Sequence, residues 1–255
     1  MGMILDLFRL DGQVAVVTGG NRGLGLAVAT ALAQAGADIV SVQRSTEDSA
    51  LRVAVEQAGR HVHIATLDVG ETGAAQHALD AALQRFGRVD VLVNNAGVQR
   101  RYPAVDFPVE EWDRVQNINT RAVFLFCQVF GREMIRQGRG KIINITSVLS
   151  FQGGYTVPAY AAAKHAVAGL TKSLCNEWSS QGVNVNAIAP GYMDTDMNEA
   201  LKANVERSQA INARIPAGRW GQPEDLGGVA VFLASRASDY IHGEVITVDG
   251  GWMAR

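Results

Sequence analysis

A parallel α/β sheet covered by helices on both faces is the fold this sequence predicts, and three observations carry the prediction. Short apolar runs rich in β-branched residues recur along the chain and alternate with longer, alanine-rich stretches. A glycine-rich turn joins the first apolar run to the first helical stretch. The chain has 255 residues, 47% hydrophobic and 19% charged, which suits one sizeable core and not a disordered or fibrous segment. Parallel strands linked through helices take right-handed crossovers, so the architecture is α/β, a doubly wound sheet of about seven parallel strands with helices on both faces.

The strands fall at 13–18 (QVAVVT), 38–43 (DIVSVQ), 62–67 (VHIATL), 89–94 (VDVLVN), 141–146 (KIINIT), 183–188 (VNVNAI) and 245–249 (VITVD). Most are apolar nearly throughout, as strands lying between two helical layers must be. Helical stretches lie near 23–35, 46–58, 71–86, 109–137, 159–181 and 223–235. Pro158 suits the first turn of the fifth of these, where a missing N–H costs nothing. The least regular segment, roughly 191–221, follows the sixth strand at the carboxyl edge where open α/β sheets take ligands, so it is a candidate lid. No repeat, low-complexity tract or linker divides the chain, and residues 1–255 are expected to form one domain.

Composition excludes several functions. A net charge of -2 leaves no basic field for nucleic acid or an anionic membrane. The apolar runs fall short of the eighteen or so residues of a membrane span. The N-terminal stretch MGMILDLFRLDGQ carries Asp6 and Arg9 among its apolar residues and does not read as a signal peptide. Cys127 and Cys175 show no paired or metal spacing, so both are expected as free thiols in the cytoplasm. His61 and His63 share a strand face but find no third ligand, and no metal site is expected.

The first strand ends in TGGNRGLG, residues 18–25. A strand-to-helix turn of this kind aims backbone N–H groups at an anion, and glycine permits close approach, so it reads as a pyrophosphate cradle. An acid ending the second strand would bind the ribose diol of NAD; here Gln43 stands at that place, followed by Arg44. Arg22 and Arg44 favour a 2′-phosphate, hence NADP. Asp68 ends the third strand, suited either to an adenine amino group or to capping a helix from about residue 71. NNAG, 94–97, closes the fourth strand.

In YTVPAYAAAK, residues 155–164, Tyr160 and Lys164 stand four apart on a helix and can meet, whereas Tyr155 precedes the proline and gains no such partner. Ser147 follows the fifth strand and projects beside the nucleotide crevice. Asn119, within a helical stretch, is a poor helix former and invites a functional reason.

Together with the PG at 190–191 and VDGG at 248–251, these motifs resemble the short-chain dehydrogenase/reductase family over nearly the whole chain, in the same order. The resemblance implies a Rossmann-type fold, a homotetramer and a catalytic tetrad of Asn119, Ser147, Tyr160 and Lys164. It implies NAD(P)(H) contacts at Gly19, Asn21, Gly23, Leu24, Asp68, Val69, Asn95, Ala96, Gly97, Tyr160, Lys164, Pro190 and Gly191, with Met193 and Thr195 at the nicotinamide amide; Arg22 and Arg44 complete the cofactor set. Tyr160 would move the alcohol proton, its pKa brought from about 10 to about 7 by some 4 kcal/mol of nearby positive charge. Ser147 would hold the substrate oxygen, and Asn119 would order a relay water.

SVLSFQGG (147–154), RIPAGRWG (214–221) and VDGGWMAR (248–255) are similar to the sugar-acid branch of that family, which acts on hydroxyl and keto groups of compounds such as 2-dehydro-3-deoxy-D-gluconate. That branch generally uses NAD, so the cofactor stays open between NAD and NADP. Tyr155 and Arg101 join Ser147 and Tyr160 as substrate residues, with Arg100, Arg214 and Arg219 as further partners for a carboxylate. A 3-oxoacyl carrier-protein reductase and an alcohol or polyol dehydrogenase are alternatives. A non-enzymatic nucleotide sensor is disfavoured, because Tyr160 and Lys164 are both kept.

Overall fold

The structure, a computed structural model, describes residues 3–46 and 48–255. Strands β1 (Val14–Thr18), β2 (Asp38–Gln43), β3 (Val62–Thr66), β4 (Val91–Asn94), β5 (Gly140–Ile145), β6 (Val183–Pro190) and β7 (Val245–Val248) form one sheet in the order β3-β2-β1-β4-β5-β6-β7. All neighbours run parallel. Each predicted strand is present within two residues. β4 starts later than its apolar run because Asp90 is used as an anchor: its carboxylate accepts the Val14 N–H at 3.0 Å and pairs with Arg88 at 2.6 Å. The strand order reverses between β1 and β4, which opens a crevice at their carboxyl ends.

Helices α1 (Gly23–Gln34), α2 (Ser49–Gln57), α3 (Ala74–Phe86), α4 (Val109–Gln116), α5 (Ala122–Gln137), α6 (Pro158–Trp178), α7 (Glu199–Ala203), α8 (Val205–Arg214) and α9 (Gly227–Ala234) complete the chain. Strand residues alternate between two cores. Val14, Val16, Leu92 and Ile142 pack with α3, α5 and α6. Ala15, Val17, Val93 and Ile143 pack with α1, α2 and α9. This two-sided burial is why the strands read as continuous apolar runs.

Four details depart from the sequence expectation. α2 starts at Ser49 instead of 46, and Glu47 within the predicted stretch lies outside the described residues. α3 starts at Ala74, after Gly73 in the left-handed region (φ 86°). The stretch 109–137 is helical throughout but widens to a π turn over Asn117–Arg121. The segment 191–221, read as irregular, contains α7 and α8; Asn204 caps α8 by accepting the Arg207 N–H at 2.9 Å. No described helix is long and apolar enough to cross a membrane.

Candidate active site

The loop after β1 has the shape its glycines require. Gly19 and Gly23 take φ of +69° and +52°. A Cβ on Gly25 would run into the Gly19 carbonyl oxygen, and one on Gly20 would come within 2.7 Å of Ser41 Oγ. α1 therefore begins tight beneath the loop, with no side chain capping it and no acid in its first turn. Backbone N–H groups left without a cap, a positive helix end and a cradle free of Cβ atoms fit a pyrophosphate. Thr195, beyond β6, reaches this loop: its methyl lies 3.8 Å from where a Gly23 Cβ would be. Beside it Arg22 approaches Asp196 at 3.5 Å.

At the place of the expected ribose acid, Gln43 is buried, its amide oxygen accepting from Ser41 Oγ at 2.7 Å and its nitrogen donating to the Ser45 carbonyl at 2.9 Å. Arg44 is exposed and 3.8 Å from Asp68. Asp68 does not cap α3; it accepts the Gly70 N–H at 2.9 Å in a local turn, beside half-buried Val69.

Asn94 and Asn95 point opposite ways, as neighbours in extended chain do. Asn94 Nδ2 donates to Asn144 Oδ1 at 2.9 Å, and Asn144 donates to Thr171 at 3.0 Å, a buried tie between β4, β5 and α6. Asn95 Nδ2 donates to the Thr18 and Gly19 carbonyls at 2.9 and 3.1 Å, while Thr18 Oγ1 accepts the Asn95 and Ala96 N–H groups. The two strand ends at the crevice are thereby locked together.

The π turn carries Asn119 inward until it is fully buried. Its Oδ1 accepts the Val98 N–H and its Nδ2 donates to the Val98 carbonyl, both at 2.8 Å. Both ends of the amide hold the loop that follows Gly97. The side chain thus acts as a strut for that loop, beside the residues it was expected to serve.

Ser147, Tyr160 and Lys164 come together as the spacing implied. Ser147 caps a short turn, its Oγ accepting the Leu149 N–H at 3.1 Å, and faces the Tyr160 phenol, on which it acts. Lys164, buried, donates to the Ile145 carbonyl at 2.6 Å and lies 5.4 Å from the Tyr160 ring centre. Burial pushes the Tyr160 phenol up to about 12, against the pull of Ser147 and of the Arg101 charge. Burial also holds Lys164 down to about 8. A phenol near 7 is therefore not a property of this wall by itself. Moving from about 12 to about 7 takes roughly 7 kcal/mol, at 1.36 kcal/mol per unit.

Ser147 and Tyr160 open into a cavity of about 480 Å³. Tyr155 stands on its rim, 82% exposed. Of the four arginines expected near a carboxylate, Arg100 is paired with Glu111 at 2.8 Å and Arg219 with Asp225 at 2.7 and 3.0 Å; neither lines the cavity. Arg101 and Arg214 do, and so does Arg207, which sequence reasoning missed. No Asp or Glu lines it, and among the described residues none of these three arginines has a carboxylate partner. Tyr192 and Trp252 in its wall were also missed. The available signals were the seven-residue spacing of Arg207 and Arg214 and an aromatic directly after paired glycines.

Pro190 ends β6, and Gly191 donates to the Val248 carbonyl at 3.0 Å, where a Cβ would meet Asp249 Cα at 2.7 Å. Met193 is buried and bridges to Gly221. Leu24 packs partly into the α1 core. Cys127 and Cys175 are free thiols, and burial pushes Cys127 up to about 12. Among the described residues, no three His, Cys, Asp or Glu side chains converge on a metal position.

Comparison with known proteins agrees with this geometry. The enoyl-(acyl carrier protein) reductase family model matches residues 19–253. The chain is 51% identical to 2-dehydro-3-deoxy-D-gluconate 5-dehydrogenase of Bacillus subtilis over 257 residues, covering all of both chains. It is 44% identical to gluconate 5-dehydrogenase of Gluconobacter oxydans over 248 residues, 96% of each chain. A gluconate 5-dehydrogenase from Burkholderia cenocepacia, solved in complex with NADP and tartrate, superposes with a TM-score of 0.95 at 43% identity, covering 99% of this chain and all of the other. The similarity runs from the phosphate loop to the last turn, and the chain belongs to the short-chain dehydrogenase/reductase family.

Proposed function

We propose that this protein is an NADP-dependent oxidoreductase that moves a hydride to or from a hydroxyl or keto carbon of a sugar acid such as 2-dehydro-3-deoxy-D-gluconate. The observation that carries the substrate class is the cavity itself. It joins Ser147 and Tyr160 to three arginines, without any acidic residue. A small hydrated substrate offers little apolar surface, so charge-assisted hydrogen bonds to a carboxylate must supply both affinity and selectivity. The named activities of the relatives support the same class. An acyl thioester would instead lay an apolar chain against unpaired guanidiniums.

When bound, a nicotinamide would supply the hydride acceptor in oxidation, the donor in reduction, and a positive charge in its oxidised form. The chain's own residues do the rest. Tyr160 takes the alcohol proton in oxidation and returns it in reduction. Ser147 hydrogen-bonds the substrate oxygen as charge develops. Lys164 stabilises the phenolate with its buried charge. Asn119 keeps the Val98 loop in place beside them. The cradle made by Gly19, Asn21, Gly23 and Leu24 would hold the pyrophosphate, while Arg22 and Arg44 would favour a 2′-phosphate. The NADP bound in the Burkholderia relative supports that lean over NAD.

Residues 191–221 are read as a lid of the one domain. Two contacts support this: Met193 bridges to Gly221 at its two ends, and Thr195 lies over the phosphate loop. The protein is further read as a cytoplasmic homotetramer. Val105, Val109, Trp112 and Phe124 are exposed along one stretch, as an interface between copies requires, and both cysteines are free. Sedimentation as a monomer at micromolar concentration would remove the tetramer.

The deciding experiment is a steady-state assay with NADP and NAD on sugar acids, matched neutral sugars and an acyl thioester. Oxidation of 2-dehydro-3-deoxy-D-gluconate or D-gluconate, at least about tenfold more efficient than of the neutral partner, is the expected result. Equal efficiency on the neutral sugar or the thioester would overturn the sugar-acid assignment.

A further inference from the structure

We infer that Arg207 and Arg214 form the end of the cavity that receives the substrate carboxylate, while Arg101 serves the reacting end. This rests on the sugar-acid reading above and divides its three arginines into two roles.

Arg207 and Arg214 are seven residues apart on α8, two helical turns, and so share one face of that helix. Both line the cavity together with Ala210 and Ile211 between them. Neither has an ion-pair partner among the described residues. Two positive side chains held on one face without an anion repel each other, and a carboxylate between them removes that repulsion.

Arg214 is also oriented. Its guanidinium lies 3.8 Å over the Trp252 ring, which fixes the plane and leaves the edge N–H groups for a planar acceptor. Trp252 is itself held firmly. Gly250 and Gly251 take φ of +63° and +89°, and the Asp249 carboxylate accepts the Gly251 and Met253 N–H groups at 2.8 and 2.9 Å. A Cβ on Gly250 or Gly251 would press on Ile215 or Pro216, just beyond α8. The final turn of the chain is thus fitted to the end of α8, and the indole becomes the platform on which Arg214 lies.

Arg101 stands elsewhere. It follows β4, three residues past the Val98 that Asn119 braces, and its charge acts on the Tyr160 phenol. A six-carbon acid that reacts near one end carries its carboxylate at the other. With the reacting oxygen at Ser147 and Tyr160, the α8 pole is the place left for the carboxylate.

The test uses the full-length protein with NADP and two substrates, 2-dehydro-3-deoxy-D-gluconate and 3-deoxy-D-fructose, which has a hydroxymethyl group in place of the carboxylate. The readout is the ratio of their kcat/KM values. In Arg207→Ala and in Arg214→Ala the preference for the acid falls at least about tenfold, the size of one charge-assisted hydrogen bond, and for the acid the loss appears in KM. Arg214→Lys regains only part of it, because an ammonium has no flat face to stack. Trp252→Ala loses preference as Arg214→Ala does. Arg101→Ala lowers kcat on both substrates, shifts the pH profile and leaves the ratio within about threefold. If Arg101→Ala abolishes the preference while the two α8 variants keep it, this inference is wrong and the sugar-acid reading stands. If the wild type shows no preference for the acid, both fall together.

Discussion

The two walls of the cavity are built in opposite ways. The reacting wall hangs from strand ends deep in the sheet. Ser147, Asn119, Asn95 and Lys164 are each tied by hydrogen bonds to backbone groups, several of them buried. The wall of α7 and α8 is anchored by few residues: Ile211 is the only buried side chain described in either helix. The aromatic cluster beside it contains the two buried side-chain polar atoms without a partner among the described residues, the indole N–H groups of Trp220 and Trp252. Chemistry needs atoms placed to fractions of an ångström, whereas recognition of a flexible acid needs a surface that can adjust. The reacting wall is thus fixed by buried polar ties, whereas α7 and α8 rest on little buried side chain apart from Ile211.

The sharpest way to break this contrast is at the phenol. Tyr160→Phe is expected to lower kcat by several orders of magnitude with cofactor binding largely retained, measured by turnover and by nucleotide fluorescence. If activity survives, the reacting wall has been assigned wrongly.

Next in size is the pH response of Lys164. Its folded pKa is about 8, below the ordinary lysine value of 10.5, so between these pH values the unfolded chain binds more protons. Wild-type stability therefore gains as pH rises from about 8 to 10.5, relative to Lys164→Met. The full gain is about 3 kcal/mol for a shift from 10.5 to about 8. Paired denaturant titrations check it, and a constant difference between the two proteins would refute it.

Arg44→Asp is expected to move cofactor preference toward NAD by about tenfold or more, because it removes a cation and adds repulsion at a 2′-phosphate. A wild-type preference for NADH well above tenfold would show that the arginines do not set the choice. The smallest change is Tyr155→Phe. At 82% exposure on the rim, its hydroxyl should matter less than about threefold in kcat/KM.

The sequence made the reacting wall almost fully legible and the recognition wall only partly so. Tyr160, Lys164 and Ser147 sit at fixed offsets from a strand end and a helix start, and regular geometry turns those offsets into positions. Strands buried on both faces carry an apolar signal that survives one-residue errors, so all seven were found. α8 has a single buried residue and a polar face, so hydrophobic period could not reveal it. Asn204 and the arginine spacing were local signals with no apolar stripe behind them. The pairing of Arg100 and Arg219 with Glu111 and Asp225 depends on how loops fold back, which residue type alone does not encode. Tyr160's upward shift was missed for a related reason: the sequence displays the neighbouring charge but not the depth of burial.

The π turn at Asn117–Arg121 has a consequence for how the chain can change length. One surplus residue per turn rotates everything after it by about 100° relative to an unbroken α-helix. That rotation lets a single continuous helix serve two interiors, with Val115 facing Ala159 and Ala163, and Phe126, Phe130 and Met134 facing the core beneath the sheet. Deleting one residue here would restore ideal helical geometry while misaligning one of those faces and swinging Asn119 away from Val98. A length change that a surface loop would absorb readily would therefore be felt at both packed faces of this helix.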